Sequence, residues 1–220
     1  MGDLIQNIRD IKHDGISRST VKLGFENVSF GYDDMEIIFE NANFNFSNSG
    51  LILFKGSNGS GKTTIIKLLS SFKLPGSGTV VCDTNSVIGY SSANGSDINS
   101  YVKCDSFLSD CLGDLRDRYL LSVLDYLNLS QCKQHRILEL SSGQRKKLSF
   151  FRTLTKSQYC MFFDEPLSFL DVSFQRIVID QICKLKETMT ILIATHTDKF
   201  DGMADCICEI ENKSINIIKS

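Results

Sequence analysis

Hydrophobic and polar residues alternate in the first part of the chain and follow other patterns after it. The runs VKLGFENVSFGY (21–32) and FENANFNFS (39–47) alternate apolar with polar positions, which predicts half-buried β-strands. The run LILFK (51–55) is continuously apolar, as is typical of a strand covered on both faces of a parallel sheet. TTIIKLLSSF (63–72) follows with the spacing of a helix.

Short apolar runs and helical patterns continue to the end of the chain. Further strands are predicted at 78–83, 86–91, 159–164 and 190–196, with a closing hairpin-like pair at 205–212 and 214–220. Helices are predicted from Ser142 to about Thr155 and over 174–186. Because strands and helices alternate through most of the chain, we expect an α/β fold with a parallel-sheet core.

Two segments depart from this alternation. The middle of the chain, about 93–145, is rich in leucines at helical spacing, most clearly over 110–130, and predicts an inserted helical subdomain. Residues 1–20 are polar with a weak helical pattern, which suits a linker or a helix. We therefore expect this segment to precede one domain over 21–220, with an antiparallel β subdomain at its N-terminal side.

Composition narrows the class of protein. The 220 residues are 42% hydrophobic and 23% charged, as in ordinary globular proteins, and the net charge of −2 predicts no nucleic-acid partner. No apolar run approaches the roughly 18 residues of a membrane helix. The eight cysteines form no C-x-x-C pair and lie in apolar segments, which indicates buried thiols in a reduced, cytoplasmic protein.

A phosphate-binding loop is the clearest chemical feature of the sequence. GSNGSGKT fits the pattern G-x-x-x-x-G-K-[ST] and lies between a predicted strand and a predicted helix, which favours this interpretation over a glycine-rich surface turn. Backbone N–H groups of such a loop surround phosphate oxygens, the lysine reaches the terminal phosphates, and the threonine hydroxyl ligates Mg²⁺. The predicted nucleotide-binding residues are Gly56, Ser57, Asn58, Gly59, Ser60, Gly61, Lys62, Thr63 and Thr64.

Two acids end the buried run YCMFFDEP. Asp164 and Glu165 follow a strand that we expect beside the strand of the phosphate loop. Asp164 would complete the Mg²⁺ site with Thr63, and Glu165 would polarise an attacking water. The alternative is a pair of exposed acids at the start of a turn before Pro166.

Four further motifs occur in order around these two. They are Tyr32 in FGY, Leu140–Gln144 (LSSGQ), Ser168–Asp171 (SFLD) and His196 after ILIAT. Each alone has a plain alternative: a strand aromatic, a helix N-cap followed by a solvent-facing RKK, a turn, and a structural histidine. Together they resemble the motifs of ATP-binding-cassette (ABC) ATPases over about residues 21–215, with Ser142 as the one departure from the family's LSGGQ.

The resemblance implies a fold and a mechanism. The fold is that of a P-loop NTPase (RecA-like). Two ATPase domains, in a homodimer or heterodimer, bind ATP between the phosphate loop of one and the LSGGQ segment of the other. Tyr32 would stack on adenine, and Lys62, Glu165 and His196 would be catalytic, with His196 at the γ-phosphate. The opposite half of the site would be formed by Ser141, Ser142, Gly143, Gln144 and Asp171.

One feature of the family is missing. Its members have a glutamine at the end of the strand that corresponds to SVIGYS, where it touches Mg²⁺ and relays motion to membrane partners. No glutamine occurs here between Gln6 and Gln131, and Ser92, Ala93 or Asn94 takes the corresponding position. Asn94 would serve through its shorter side chain or a bridging water. The departure affects the coupling step more than nucleotide binding.

The resemblance also implies a role in transport. The segments VKLGFENVSFGYDD and ATHTDKFDGMADCICEIENKSI are similar to the beginning and end of exporter-type ATPase domains. We therefore expect the ATP-hydrolysing domain or subunit of an ABC transporter, which powers export through a separate transmembrane permease domain at the inner face of a membrane. The alternatives are a soluble ABC ATPase that acts as an assembly or scaffold factor, and a degenerate cassette without turnover. Intact Lys62, Asp164, Glu165 and His196 argue against the degenerate cassette.

Overall fold

Two β-sheets carry the fold in the computed structural model, which describes residues 3–13, 21–33, 36–47, 49–83 and 88–219. The strands are β1 (Lys22–Gly31), β2 (Ile37–Phe46), β3 (Gly50–Lys55), β4 (Ser77–Asp83), β5 (Gly89–Ser91), β6 (Cys160–Asp164), β7 (Thr190–Ala194), β8 (Cys206–Glu211) and β9 (Ser214–Lys219). The helices are α1 (Asp3–Lys12), α2 (Lys62–Leu69), α3 (Cys104–Leu112), α4 (Arg116–Tyr126), α5 (Ser142–Lys156) and α6 (Val172–Leu185).

The two sheets differ in strand direction. The six-stranded sheet has the order β5-β6-β7-β3-β8-β9, and all its pairs are parallel except the closing β8–β9 hairpin. The three-stranded sheet, β2-β1-β4, is antiparallel. The predicted α/β fold class, a parallel core sheet with an antiparallel sheet at the N-terminal side, is confirmed.

The sheet order brings the ends of three strands to one edge. β6, β7 and β3 are neighbours, and Ala194 pairs with both Asp164 and Phe54 near their carboxyl ends. Since parallel strands end at the same edge of a sheet, the segments that follow these strands meet there. The phosphate loop, the two acids and the histidine of the sequence motifs belong to these segments.

The central position of strand β3 explains why its sequence is continuously apolar. Leu51 and Leu53 lie in the cluster of buried side chains on one face of the six-stranded sheet, and Ile52 and Phe54 lie in the cluster on the other face. Successive side chains of a strand point to opposite faces, so a strand covered on both sides needs apolar residues at every position. All four side chains are fully buried.

The helical insertion has a break that the sequence pattern did not predict. Leucines at helical spacing over 110–130 predict helical structure, and two helices lie there: α3 ends at Leu112, and a single 3₁₀ turn, Gly113–Leu115, precedes α4. Gly113 has φ of 60°. Glycine reaches this left-handed conformation without the steric cost that other residues bear, and so ends α3 there.

Helix α1 packs on the end of α5. Ile5 and Ile8 are fully buried, and the Arg9 guanidinium donates to the carbonyl oxygens of Leu154 and Ser157. Burial lowers the pKa of Arg9 to about 10. The part of the predicted N-terminal segment at 14–20 lies outside the described residues.

The eight cysteines all lie in described parts of the chain and are free thiols. Seven are buried or half-buried, and Cys183 on α6 is exposed. Among the described residues, no helix is both long enough and apolar enough to cross a membrane.

Candidate active site

The phosphate loop joins β3 to α2, as the sequence predicts. Gly61 forms the N-cap of α2 with φ of 107°, and no side chain caps this helix end. A Cβ atom at Gly61 would lie 2.7 Å from Ile38 Cγ2 and 2.8 Å from Phe39 Cζ. Both the backbone conformation and the close packing therefore require glycine at this position.

Lys62 and Ser60 give the loop its capacity for phosphate. The Lys62 ammonium donates to the carbonyl oxygens of Gly56 at 2.9 Å and Ser57 at 2.8 Å, so it is held against the loop. Ser60 Oγ is buried and finds no hydrogen-bond partner among the described residues. A buried hydroxyl without a partner is rare in proteins, and a phosphate oxygen would satisfy it. The residues present therefore fit a bound phosphate group.

A cleft of about 400 Å³ opens beside the loop. Its lining residues are Tyr32, Glu36, Ile38, Asn58, Gly59, Gly61, Lys62, Thr63, Thr64, Ala93, Asp164 and Glu165. Nine of these were predicted site residues; Glu36 and Ile38 were not, and Ala93 was one of three candidates for the missing glutamine's position. Glu36 and Ile38 reach the cleft through the β1–β2 hairpin, and no local sequence signal indicates that approach.

Tyr32 stands at the rim of the cleft, nearly half exposed. Its hydroxyl lies 3.3 Å from Thr64 Oγ1, and the ammonium groups of Lys67 and Lys73 lie 5.8 and 5.7 Å from its ring centroid. Cations at this distance are attracted to the electron-rich face of an aromatic ring. The ring is thus held at the rim, and adenine stacking on it stays a prediction.

Two oxygen ligands suitable for Mg²⁺ meet at the floor of the cleft. Thr63 Oγ1 donates to Asp164 Oδ2 at 2.8 Å. Burial raises the pKa of Asp164, and the hydrogen bond from Thr63 opposes that rise. Among the described residues no cluster of three or more His, Cys, Asp or Glu side chains forms a metal site. Mg²⁺ commonly takes one or two protein oxygens and completes its shell with phosphate and water, so this pair fits the ion.

Glu165 and His196 form a hydrogen-bonded pair beside these ligands. His196 Nδ1–H donates to Glu165 Oε1 at 2.8 Å, and Thr195 Oγ1–H donates to Glu165 Oε2 at 3.0 Å. The backbone N–H of His196 also donates to Oε1, at 3.1 Å. Glu165 has φ of 45°, a conformation that costs a non-glycine residue on the order of 1–3 kcal/mol. The end of β7 thus fixes the carboxylate by both its oxygens.

The remaining motif residues lie outside the cleft lining of their own chain, at the starts of α5 and α6. Ser141 is the N-cap of α5: its Oγ accepts from Gln144 N at 3.2 Å, and Gln144 Oε1 accepts from Ser141 N at 2.9 Å. Ser142 is the first residue of the helix. A Cβ atom at Gly143 would lie 2.4 Å from the carbonyl oxygen of Phe169. Because glycine lacks this atom, the starts of α5 and α6 can pack closely together.

Asp171 caps α6 and connects it to α5. Its Oδ1 accepts from Phe174 N at 2.9 Å, and its Oδ2 lies 3.4 Å from the Lys147 ammonium. The backbone hydrogen bond from Phe174 holds the pKa of Asp171 below its usual value, with the Lys147 charge acting in the same direction. The two helix starts are therefore joined by an ion pair as well as by packing.

The three candidates for the missing glutamine's position have different surroundings. Ser92 is buried, Ala93 lines the cleft, and Asn94 is exposed with its Oδ1 accepting from Ser96 N at 3.1 Å. Of the three candidates, only Ala93 belongs to the cleft lining, and its side chain is a methyl group. The suggested role of Asn94 gains no support from this geometry.

Lys146 was missed by sequence reasoning. The basic run after LSSGQ suggests a solvent-facing side of α5, but Lys146 is fully buried and Lys147 nearly so. Burial lowers the pKa of Lys146 to about 8, while the charges of Asp97 and Asp164 act in the opposite direction. The solvent-facing RKK of the plain N-cap alternative is therefore not observed, because α5 is covered on both sides, by the sheet and by the insertion.

Comparison with known proteins identifies the family. The sequence model described as "ABC transporter" matches residues 39–168, more than half of the chain. The chain belongs to the ABC transporter ATPase family. It is 30% identical over 182 residues to a cytochrome c biogenesis ATP-binding export protein of Reclinomonas americana, which covers 76% of this chain and 82% of that relative.

Other ABC proteins extend the similarity. A molybdate import ATP-binding protein of Haemophilus influenzae is 27% identical over 185 residues, which covers 79% of this chain and 72% of that relative. The solved structure of a bacterial Atm1-family ABC exporter with ATP bound has a TM-score of 0.74 at 19% identity, over 91% of this chain and 39% of that one. That likeness shows the shared fold. The relatives include export and import proteins.

Family membership establishes the general activity. This ABC protein is an ATP-binding and ATP-hydrolysing subunit of transport machinery. The recognition from sequence motifs and the P-loop NTPase fold are thereby confirmed. The direction of transport and the roles of individual site residues stay predictions.

Proposed function

We propose that this ABC ATPase hydrolyses MgATP in a head-to-tail dimer and powers export of a substrate through a separate membrane domain. One observation carries the hydrolytic part: the contacts Thr63–Asp164 at 2.8 Å and Glu165–His196 at 2.8 Å lie side by side at the edge where β3, β6 and β7 end. This edge combines two Mg²⁺ ligands, a carboxylate base and a histidine with the phosphate loop. Such a combination serves phosphoryl transfer to water.

Each residue has a definite task in this proposal. Lys62 binds the terminal phosphates through its ammonium, and Thr63 with Asp164 holds Mg²⁺. When bound, Mg²⁺ neutralises charge that develops between the β- and γ-phosphates. Glu165 orients the attacking water and accepts its proton, with Thr195 and His196 fixing the carboxylate. Since His196 Nδ1 is engaged with Glu165, Nε2 is the ring nitrogen that reaches the γ-phosphate.

The proposed dimer follows from the position of the second set of motif residues. Ser141, Gly143 and the N-terminus of α5 lie outside the cleft lining of their own chain. A helix N-terminus favours an anion through its dipole and its free N–H groups. We therefore assign these residues to the γ-phosphate bound by the partner subunit, which is a second copy or another ABC ATPase domain. Asp171, at the adjoining start of α6, couples the two sites.

Export through a permease is the finer part of the proposal. The similarity to a cytochrome c biogenesis ATP-binding export protein supports it, and the molybdate import relative makes import the competing direction. A permease partner would hold this chain at the inner face of a membrane. Affinity purification of the tagged chain from detergent-solubilised native membranes tests this. A co-purifying multi-helix protein that stimulates ATP hydrolysis is expected, and an active eluate free of membrane proteins would favour a soluble ABC ATPase.

The variant Glu165→Gln tests the hydrolytic dimer. It removes the proton acceptor and preserves the shape of the side chain, so it is expected to bind ATP, to lose hydrolysis by roughly 100-fold or more, and to accumulate as a dimer. Light scattering after size exclusion, with and without MgATP, measures the dimer. Glu187→Gln, at an exposed position just beyond the C-terminal end of α6, is the matched control and should behave as the parent. A Glu165→Gln variant that stays monomeric in MgATP contradicts the head-to-tail mechanism.

A further inference from the structure

A buried lysine joins two strands at the point where their pairing stops. The parallel pairing of β5 with β6 ends at Ser91 opposite Phe163. One residue further on, the Lys146 ammonium donates to the carbonyl oxygen of Asp164 at 2.8 Å and to that of Ser92. Lys146 lies on α5 and is fully buried. A side chain of α5 thus continues the connection between the two strands beyond their last backbone pair.

The two carbonyl groups belong to segments that both line the nucleotide cleft. Asp164 is the proposed metal ligand and precedes the proposed base, Glu165. Ser92 precedes Ala93, which also lines the cleft. Lys146 contacts both segments next to the proposed metal site.

A carboxylate strengthens the same connection. Asp97 accepts hydrogen bonds from Ser92 N at 2.9 Å, from Ser149 Oγ at 2.7 Å and from Arg152 Nη2 at 2.6 Å. Its side chain is only 5% exposed, so the ion pair with Arg152 is shielded from water. Since Ser149 and Arg152 also lie on α5, the segment 92–97 is held to this helix at several points.

We propose that Lys146 is a positioning residue for ATP hydrolysis, which holds the ends of β5 and β6 together and makes the placement of Asp164 and Glu165 depend on α5. The inference rests on the proposed function, since the start of α5 faces the nucleotide of the partner subunit there. Ala93 has no polar side chain that could contact the metal. In this proposal Lys146 of α5 instead connects the nucleotide site to the helical insertion.

An ammonium group suits this task better than other side chains. It is a compact charge with three donors on a flexible stem, and so it reaches two carbonyl oxygens of different strands at once. Removing it leaves two buried acceptors without their charged donor, which loosens both segments. Methionine at position 146 preserves the volume of the stem and removes every donor. Glutamine retains two N–H donors on a shorter side chain.

Hydrogen exchange of the ligand-free protein tests the connection without relying on activity. In Lys146→Met, amide exchange in 92–97 and 164–168 is expected to be at least about 10-fold faster, while exchange in the phosphate loop is unchanged. Lys146→Gln should exchange more slowly than Lys146→Met in both segments. Lys156→Met is the matched control, because that ammonium lies on the same helix and contacts Asp110 instead. Parent-like exchange in Lys146→Met overturns the proposal.

Steady-state kinetics tests the effect on hydrolysis. Loss of a residue that orients metal ligands commonly lowers activity by about 10–100-fold, and we expect this loss in kcat, with KM for ATP changed by less than about 3-fold. Lys146→Gln should recover part of the lost kcat. A Lys146→Met variant with parent-like kcat, or a glutamine variant no better than methionine, rejects the positioning role.

Asp97→Asn serves as a second variant if Lys146→Met does not fold. It preserves the shape of the side chain and releases the segment 92–97 from α5. Faster exchange at 92–97 with lower kcat supports the proposal, and faster exchange with unchanged kcat overturns it. A parent protein that hydrolyses no ATP, or whose hydrolysis survives Glu165→Gln, instead refutes the proposed function. The exchange experiment still decides whether Lys146 holds the two strands.

Discussion

The helices α2 and α5 both begin at a nucleotide-binding motif, but their first turns are completed in different ways. α2 begins at Gly61 and has no side-chain cap. α5 begins at Ser141, whose hydroxyl and backbone N–H form a reciprocal capping box with Gln144. Every helix leaves its first backbone N–H groups without partners inside the helix. The two helix starts therefore differ in how many of these N–H groups remain for a ligand to bind.

The start of α2 therefore needs a ligand to satisfy its N–H groups, whereas the start of α5 is capped by side chains of its own chain. At α2 the N–H groups of the first turn depend on an outside acceptor, which the proposed phosphate supplies. At α5 the cap stabilises the helix by itself, and the Ser141 hydroxyl still has its own proton to donate. We infer that the phosphate loop gains order from ATP, whereas the start of α5 is formed before the two subunits meet.

The largest expected effect is at α2. Lys62→Ala removes a charge-assisted contact to phosphate and should weaken ATP binding by about 100-fold. Titration with a fluorescent ATP analogue measures the affinity. Lys22→Ala, an exposed lysine on β1, is the control. Unchanged affinity in Lys62→Ala would show that the loop does not bind the nucleotide, and the proposed dependence of α2 on a ligand would be wrong.

A pair of glycine substitutions should give a smaller effect within the same loop. Gly61→Ala combines a left-handed backbone with contacts of 2.7 and 2.8 Å to Ile38 and Phe39, and should lower the free energy of unfolding by about 2 kcal/mol. Gly59→Ala has φ of 83° but meets nothing within 4 Å, so it should cost about 1 kcal/mol. Urea unfolding without ligand measures both. Equal losses would show that packing at Gly61 does not shape the start of α2.

The smallest effect is expected at α5. Ser141→Ala removes the cap and should lower the free energy of unfolding by about 1 kcal/mol, with no change in ATP binding to a single subunit. Ser142→Ala, inside the first turn, should be neutral or slightly stabilising, because alanine favours helices. Urea unfolding and ATP titration of the monomer separate the two quantities. If Ser141→Ala weakens ATP binding to a monomer, the start of α5 acts within its own chain and our assignment to the partner is wrong.

Local sequence order predicted those parts of the site that follow buried strands. Thr63 and Asp164 are far apart in sequence, yet each follows a continuously apolar run that could only be a central strand. Their 2.8 Å contact is a consequence of two neighbouring parallel strands ending at one edge. The helix from Ser142 was also predicted to within a residue of its observed end.

The sequence failed where the outcome depends on what covers an element. A solvent-facing RKK run was the plain alternative for the residues after LSSGQ, because a basic run usually marks an exposed face. Periodicity carries no information when both sides of a helix are buried. The choice among Ser92, Ala93 and Asn94 depends on a turn whose direction is set by Asp97 and Lys146. The contact from Lys146 to Ser92 joins residues that are distant in sequence, so no local pattern shows it.

The exposed thiol of Cys183 provides a site for spectroscopic labelling of this protein. Seven of the eight thiols are buried or half-buried, so a thiol-reactive spin label should react preferentially with this position on α6. In a symmetric dimer the two labels would form a single pair, and the distance between them would report how closely two copies approach as nucleotide binds and is hydrolysed. The native sequence therefore permits such a ruler without replacement of any cysteine.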